Sequence, residues 1–310
     1  MAETSSSADG AYASSSIAPK NFSSGSQPSA TMSSSDIALT NEYTPIKYAG
    51  IKILKRIITY HDQKLKDGDL KAEYFTISHV SSNDFQNIER RRGELGCKVR
   101  FMYLADIQTL IIKLPSEIHE RAHRSLGSDI ICRADRMGLS RAEHLELGAT
   151  LYTSENDSKK EADSSYVNNT IHPRPKKRWP SLVIEAGYSE SINRLRTDAR
   201  WWISLSKHAV RIVLLIKVNP NRRRVTIEKW IPDPNPNPRV TRNRGPYPAA
   251  LVATIAINQS NANASTITGG PLILEFDEVF LRPANNPPEH DIVFSQQDLD
   301  GWAHDLWDGL

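Results

Sequence analysis

The sequence predicts an α/β protein in which a mixed central sheet is flanked by helices. A helical pattern from Glu117 to about Met137 repeats apolar residues at a spacing of four and is followed by short strand patterns. A second helical pattern, Glu190 to about Ser206, separates a buried strand at Ser181–Ala186 from the apolar run Arg211–Val218. Such a run is typical of a central strand covered on both faces. The order helix, three strands, helix, strand, strand therefore favours helices packed on a mixed sheet.

The chain before this core divides into two parts. Residues 1–42 are rich in Ser, Ala and Gly, with thirteen serines and only four charged side chains in the first 36 residues. Ordering such a segment buries little apolar surface against its entropy cost, so we predict a disordered tail. Residues 43–114 are predicted to form a strand-helix-hairpin extension packed on the core. Its elements are a strand at Tyr74–Ile77, a helix capped within Ser81–Asp84 that extends to about Leu95, and hairpin strands at Val99–Tyr103 and Thr109–Leu114.

Residues 115–310 are predicted to form the core domain. Ser116 is a suitable N-cap for its first helix, and Gly138 is a suitable C-cap. Two polar stretches, 232–247 and 259–270, are interpreted as insertions. The remaining predicted elements are strands at Ala149–Tyr152, Asp163–Val167, Val225–Trp230, Ala250–Ile257 and Pro271–Leu281, a polar loop at Ser154–Lys160, and an amphipathic helix from Ser295.

Composition excludes several classes of protein. No run of about 18 apolar residues, the length of a membrane-spanning helix, occurs in the sequence. The N-terminus has no apolar segment after a basic start, so we expect no secretory signal. The two cysteines, Cys97 and Cys132, are too few for a disulfide framework and suit a reducing compartment. We therefore expect an intracellular protein of the nucleus or cytoplasm that is neither secreted nor embedded in a membrane.

Two acidic residues on neighbouring predicted strands are the first candidate for chemistry. Asp163 begins one strand, and Glu185 interrupts the otherwise apolar next strand, where an unpaired charge is costly. Carboxylates on adjacent strands can hold a divalent cation through hard oxygen ligands and leave positions open for water and a phosphate. The alternative is a structural ion pair with an arginine of the following helix.

Three stretches carry a resemblance to a known family: Pro115–Glu120 (PSEIHE), Glu161–Tyr166 (EADSSY) and Trp179–Trp202 (WPSLVIEAGYSESINRLRTDARWW). Together with the order of elements, they resemble the restriction-endonuclease-like superfamily, PD-(D/E)xK, and within it a fungal branch of uncharacterised members. The resemblance covers roughly residues 70–310 and implies an αβββαβ nuclease core. It also implies that Asp163 and Glu185 bind Mg²⁺, or Mn²⁺ in its place. Glu120 would be the third acid, with Glu117 a weaker choice.

The sequence departs from the superfamily at one important position. Members usually carry a lysine two residues after the second acid, and here that position is Gly187. In some members the basic group comes from the next helix, where Arg196 lies at the edge of the predicted core face. An arginine stabilises phosphate charge but does not act as a base at neutral pH. Lys217, late on the next strand, is the other option.

His119-Glu120-Arg121-Ala122-His123 matches the zinc-protease motif H-E-x-x-H on a predicted helix, where histidines four apart share a face. The longer pattern fails, because Leu126 stands at its glycine position and Asp129 at its third histidine. The alternative is a polar flank of a core-packed helix in which Glu120 faces the acidic pair.

Basic clusters complete the set of candidates. The net charge of +3 is the sum of −2 over residues 1–36 and +5 over the remainder, and a charge of +5 alone is too weak to indicate nucleic acid. Placement is more informative, since two basic loops are predicted beside the acidic strands and could contact phosphates without reading sequence. The stretch 176–178 also resembles a short nuclear-import signal. The candidate phosphate contacts are Lys176, Lys177, Arg178, Arg222 and Arg223.

These observations predict a Mg²⁺-dependent nuclease that hydrolyses phosphodiester bonds in DNA or RNA, with Asp163, Glu185 and Glu120 as metal ligands and Arg196 on the phosphate. The first alternative is a catalytically inactive nuclease-like domain that binds nucleic acid or a protein partner. A lesser alternative is a zinc hydrolase that uses His119 and His123.

Overall fold

The computed structural model describes residues 33–38, 44–171, 178–188, 192–235, 247–261, 264–285 and 287–308. These residues form sheets of six, seven and two strands with helices packed against them, so the predicted mixed α/β class is confirmed. The helices are α1 (Ser34–Ala38), α2 (Ile51–Lys66), α3 (Ser82–Arg90), α4 (Glu117–Arg136), α5 (Ile192–Leu205), α6 (Phe276–Phe280) and α7 (Gln296–Trp307). The strands are β1 (Ile46–Lys47), β2 (Tyr74–Ser78), β3 (Arg100–Leu104), β4 (Thr109–Lys113), β5 (Leu145–Glu146), β6 (Leu151–Thr153), β7 (Lys159–Glu161), β8 (Ser164–Val167), β9 (Leu182–Gly187), β10 (Ile212–Asn219), β11 (Arg224–Pro232), β12 (Ala249–Asn261), β13 (Ala264–Thr268), β14 (Leu272–Leu274) and β15 (Ile292–Phe294).

The seven-stranded sheet, here called the core sheet, has the order β13-β12-β11-β10-β9-β8-β5. Strand β9 pairs antiparallel with β8 and parallel with β10, and α5 forms the crossover between the two parallel strands. Helix α4, strands β5, β8 and β9, helix α5 and strand β10 thus give the expected αβββαβ core. Strands β11, β12 and β13 extend one side of the sheet, as the extra C-terminal strands were predicted to do.

The six-stranded sheet, here called the covering sheet, has the order β1-β2-β4-β3-β7-β6. Strands β2, β3 and β4 are the strand and hairpin predicted for the N-terminal extension. Strands β6 and β7 come from the middle of the chain and join this sheet rather than the core sheet. The covering sheet is therefore built from both predicted regions, and it packs over one face of the core sheet.

Three apolar clusters separate these layers. Helices α4 and α7 cover one face of the core sheet, where Leu126 and Trp302 pack with Ile184. Helix α5 and the covering sheet occupy its other face, and helices α2 and α3 cover the far face of the covering sheet, where Ile58 packs with Phe101. Each fully buried side chain of this kind contributes roughly 1.5–3 kcal/mol relative to exposure. The candidate acids lie between the two sheets, inside the second of these clusters.

The predicted helix caps are present. The Ser116 hydroxyl accepts the backbone N–H of His119 at 3.4 Å, and Gly138 follows α4 with a φ of 81°, a conformation that glycine adopts readily. Ser295 caps α7 in a reciprocal arrangement with Asp298. The Ser116 cap fixes where α4 begins, and the first turn of this helix carries His119 and Glu120 of the H-E-x-x-H motif.

The polar loop predicted at Ser154–Lys160 is wrong at its end, since Lys159–Glu161 forms β7. Two lysines and a glutamate give no apolar strand pattern, yet Lys160 and Glu161 are buried because each is paired with an opposite charge. The ladder between β3 and β7 pairs Met102 with Lys160. Ion pairs with residues distant in sequence, rather than local hydrophobicity, stabilise this strand.

Two C-terminal predictions also require correction. The polar stretch 259–270 is not a plain loop, because Ala264–Thr268 forms edge strand β13 on β12. The strand predicted at Pro271–Leu281 ends at Leu274, and α6 follows it, with the Phe276 N–H donating to Asp291 at 2.8 Å. An edge strand needs few apolar residues, which is why the sequence pattern misses β13.

The predicted tail, residues 1–42, lies mostly outside the described residues. Its described part forms α1, whose Ile37 and Ala38 are buried against other apolar side chains. Most of the insertion at 232–247 and most of the basic loop before Arg178 also lie outside the described residues. Cys97 and Cys132 carry free thiols. Among the described helices, none combines the length and the apolar character needed to cross a bilayer.

Candidate active site

Asp163 and Glu185 meet between the two sheets. Strands β8 and β9 pair Ser164 with Ile184, and continuing this register by one residue sets Asp163 opposite Glu185. Only 3% of Asp163 and 1% of Glu185 is exposed. The two carboxyl groups predicted from sequence thus lie on adjacent strands, in a setting that excludes bulk water.

Asp163 is surrounded by donors. Its Oδ2 lies 2.8 Å from Lys113 Nζ and 2.8 Å from His119 Nε2, and it accepts the backbone N–H of Ala186 at 2.9 Å. Burial by itself raises the pKa of Asp163, but the charges of His119 and Lys113 outweigh it and hold the pKa well below its usual value. Asp163 is therefore an ionised carboxylate whose charge is matched by a lysine from β4.

Glu185 has a second lysine. Its Oε1 accepts the indole N–H of Trp202 at 2.6 Å and lies 3.2 Å from Lys160 Nζ. Lys160 is also 3.2 Å from Asp198 Oδ1, and Asp198 in turn binds Arg194. Burial raises the pKa of Glu185 to about 8, with Lys160 opposing the shift. The site is therefore a buried network in which acidic and basic groups alternate.

The imidazole ring of His119 separates Glu120 from this network. Its Oε1 is 3.1 Å from Arg100 Nη2, and its Oε2 is 2.7 Å from Arg124. Burial opposes ionisation, but His123 and Arg100 lower the pKa of Glu120 to about 2. The ring of His119 stands between Glu120 and Asp163, because its Nδ1 lies 3.9 Å from Glu120 Oε1 while its Nε2 contacts Asp163.

Arg196 lies elsewhere. Its guanidinium binds the buried carboxylate of Glu228 at 2.6 Å, and this acid also accepts the indole N–H of Trp230 at 3.0 Å. The Lys217 ammonium donates to the Tyr188 carbonyl at 2.8 Å. Among the described residues, Arg196 makes no contact with Asp163, Glu185 or Glu120 that would support the predicted role. Its guanidinium is instead held by the ion pair with Glu228 on β11.

The predicted phosphate contacts fall into three positions. Lys176 and Lys177 lie outside the described residues. Arg178 precedes β9, at the opposite end of that strand from Glu185. Arg222 and Arg223 follow β10 and are exposed. Strands β9 and β10 are parallel, and Lys217 pairs with Gly187. The two arginines that follow β10 therefore lie beyond the C-terminal end of β9, the end nearer to Glu185.

Sequence reasoning missed the charged residues that surround Asp163 and Glu185. Lys113 and Lys160 come from the covering sheet, and Asp198 comes from α5. Asp198 had a local signal, since Arg194 stands four residues before it on the same helix face. The lysines had none, because only the pairing of distant strands brings them to the acids.

The carboxylate and carbonyl oxygens at this site are of the type that binds a hard divalent cation. Asp163 Oδ1 is buried without a hydrogen-bond partner in the described part of the chain. The Lys113 ammonium binds both Asp163 Oδ2 and the Ala186 carbonyl, at 2.8 and 2.6 Å. Carboxylate and carbonyl oxygens are the ligands that Mg²⁺ prefers. The cavity between Lys113, Lys160 and the acids measures about 10 Å³, room for one water molecule, so a cation would displace the lysine ammonium.

No model of a known protein family matches the chain, and no curated protein matches it. Among solved structures, the chain is similar to a crystal structure described as "a putative nuclease belonging to DUF820" from Anabaena variabilis. The two are 13% identical, the alignment covers 66% of this chain and 90% of that chain, and the TM-score is 0.37. At this level of similarity the fold assignment rests on the strand order given above. The resemblance to a fungal branch stays a prediction.

Proposed function

We propose that this protein is a nuclease that hydrolyses phosphodiester bonds in DNA or RNA with the help of Mg²⁺ or Mn²⁺. The observation that carries the proposal is the position of the Lys113 ammonium, which binds Asp163 Oδ2 and the Ala186 carbonyl beside Glu185. A positive group held by these oxygens marks a position that suits a cation. Such a cation would polarise a phosphoryl oxygen and lower the pKa of an attacking water.

The two lysines supply what the sequence lacks at Gly187. Nuclease chemistry of this kind needs a positive group close to the acids, to stabilise the charge that develops on the phosphate. Lys160 Nζ stands 3.2 Å from Glu185, and Lys113 stands beside Asp163. We assign Asp163 and Glu185 as metal ligands and Lys113 as the group that stabilises the phosphate. Glu120 acts more remotely, through His119.

A nucleic-acid substrate is consistent with the surface charge. Arg222 and Arg223 are exposed just after β10, beyond the C-terminal end of the neighbouring strand β9, which carries Glu185. Contacts of this type neutralise phosphates without reading bases, so they fit a substrate that is bound through its backbone.

The burial of the acids favours a second candidate function. Asp163 and Glu185 are almost fully covered, and each already has a lysine as its counterion. A domain fixed in this arrangement would be a nuclease-like fold that binds nucleic acid or a protein and cuts nothing. Lys113 and Lys160 would then replace the metal permanently.

One experiment separates the two. The purified full chain is incubated with end-labelled single-stranded DNA, duplex DNA and RNA, with Mg²⁺, with Mn²⁺ or with a chelator. We expect metal-dependent cleavage that falls at least about 100-fold in Asp163→Asn. Glu89→Gln, an exposed position on α3, is the control and should cut like the wild type.

Each outcome decides between the candidates. Equal cleavage by Asp163→Asn and wild type would rule out the nuclease assignment, because the activity would then come from elsewhere. Absence of cleavage with retained, metal-independent nucleic-acid binding supports the inactive module. Absence of both excludes a role in nucleic-acid chemistry.

A further inference from the structure

Two buried imidazoles and one carboxylate of α4 face a common point. His119 Nδ1 lies 3.9 Å from Glu120 Oε1, and His123 Nε2 lies 3.6 Å from the same oxygen. One ligand atom from each of His119, Glu120 and His123 lies within 4.8 Å of the other two. The helix brings them together, because residues four apart stand on the same face one turn away from each other.

The two ring nitrogens at this point have no hydrogen-bond partner. Neither His119 Nδ1 nor His123 Nε2 has one within the described residues. The exposed fractions of the two histidines are 0% and 1%, so water does not solvate them freely. An unsatisfied buried polar atom destabilises the folded chain, and a ligand bound at this position would remove that cost.

The opposite ring nitrogens face a carboxylate and a hydroxyl. His119 Nε2 lies 2.8 Å from Asp163 Oδ2, and His123 Nδ1 lies 2.9 Å from Ser164 Oγ. Histidines that bind a metal through one nitrogen usually hold a carboxylate or another acceptor through the other, and this fixes the ring orientation. Both imidazoles of α4 are therefore oriented with their free nitrogens toward Glu120.

We propose that His119 Nδ1, His123 Nε2 and Glu120 Oε1 bind a zinc-class divalent ion. Imidazole donors suit Zn²⁺ and disfavour Mg²⁺. Tetrahedral Zn²⁺ with bonds of about 2.0–2.1 Å sets neighbouring ligand atoms roughly 3.4 Å apart, so the two distances to Glu120 need to shorten by only a few tenths of an ångström. Three protein ligands leave one coordination position for water. The proposal does not rest on the nuclease assignment, and the ion would lie on the far side of His119 from Lys113.

Two arginines oppose a cation at this site. Arg100 Nη2 lies 3.1 Å from Glu120 Oε1, and Arg124 lies 2.7 Å from Oε2. Arg124 can keep Oε2 while Oε1 binds the ion. Arg100 shares the ligand oxygen itself, so its charge should weaken binding, and its removal should strengthen it.

The test measures zinc alone, with no nucleic acid present. The full chain is stripped with a chelator and titrated with Zn²⁺ in competition with a chromophoric zinc chelator, with and without millimolar Mg²⁺. We expect one zinc per chain that Mg²⁺ does not displace. Affinity should fall at least 100-fold in His123→Asn, rise several-fold in Arg100→Gln, and stay unchanged in the controls Glu89→Gln and His290→Asn.

Folding of each variant is checked by its melting curve. Glu120→Gln is a second variant that leaves both imidazoles in place, and it should also lose zinc. Wild-type affinity in both His123→Asn and Glu120→Gln, or less than one zinc per wild-type chain, would overturn the proposal. Zinc binding without cleavage of nucleic acid contradicts only the nuclease assignment, and cleavage without zinc binding contradicts only this inference.

Discussion

The Lys113 ammonium lies 2.8 Å from Asp163 Oδ2, although fifty residues separate the two in the chain. Lys113 ends β4 of the covering sheet, and Asp163 immediately precedes β8 of the core sheet. The contact therefore joins the two sheets at the candidate active site. It also places a basic group beside the two acids, so the covering sheet contributes a side chain to the candidate site as well as covering it.

This contact should be a major contribution to stability. Replacing Lys113 by Met leaves the Asp163 charge buried without its lysine, so we expect the free energy of unfolding to fall by about 3–5 kcal/mol. Urea denaturation at pH 7 measures the change, with the exposed Lys98→Met as control. Adding Asp163→Leu to Lys113→Met should recover part of the loss, because the orphaned charge is then removed. A loss below about 1 kcal/mol in the single variant would contradict the assigned ion pair.

Arg196 should matter for stability through Glu228. Its guanidinium donates to both carboxylate oxygens of this buried acid, through Nε to Oε2 and Nη2 to Oε1, and Trp230 donates one further hydrogen bond. We expect Arg196→Met to lower the free energy of unfolding by about 1–3 kcal/mol. The double variant Arg196→Met with Glu228→Met should be more stable than Arg196→Met alone, as a thermal melting series can show. Equal stability of the single and double variants would mean that Glu228 is not left uncompensated.

The parts of the fold that followed from sequence are those with a local physical cause. Strand β10 was predictable because a strand covered on both faces must be apolar along its length, and α5 was predictable because one face packs on the sheet. Strand β7 was not, since Lys160 is buried only through partners on β9 and α5. The acidic pair was predictable because Glu185 interrupts an otherwise apolar strand and Asp163 stands at the start of the strand before it. The lysines beside it depend on contacts between sheets, which no local pattern encodes.

Gly127 marks a close approach between α4 and β8. A Cβ at this position would lie 2.0 Å from Tyr166 Oη, and the Tyr166 ring is packed in the apolar core. We therefore expect Gly127→Ala to lower the free energy of unfolding by about 1–3 kcal/mol, despite the better helix propensity of alanine. Tyr166→Phe removes the colliding oxygen, so the two substitutions together should cost less than their sum. Strict additivity in this double-mutant cycle, measured by urea denaturation, would show that the two residues do not compete for space.

His61 should make stability depend on pH. Its ring stacks on Phe75 with centroids 4.1 Å apart, and its Nδ1 lies 3.2 Å from the Ala72 carbonyl. Burial lowers the pKa of His61 below its usual value of 6.5, so near and below that pH the unfolded chain binds more protons than the folded one. The contribution of His61 to stability is therefore complete above pH 6.5 and is lost as the pH falls below it. Denaturation midpoints between pH 5 and 8 should decline less steeply toward acid in His61→Gln than in the wild type, whereas an exposed control, His290→Gln, should keep the wild-type slope. A wild-type slope in His61→Gln would show that this ring titrates alike in both states, and that its packing on Phe75 is insensitive to charge.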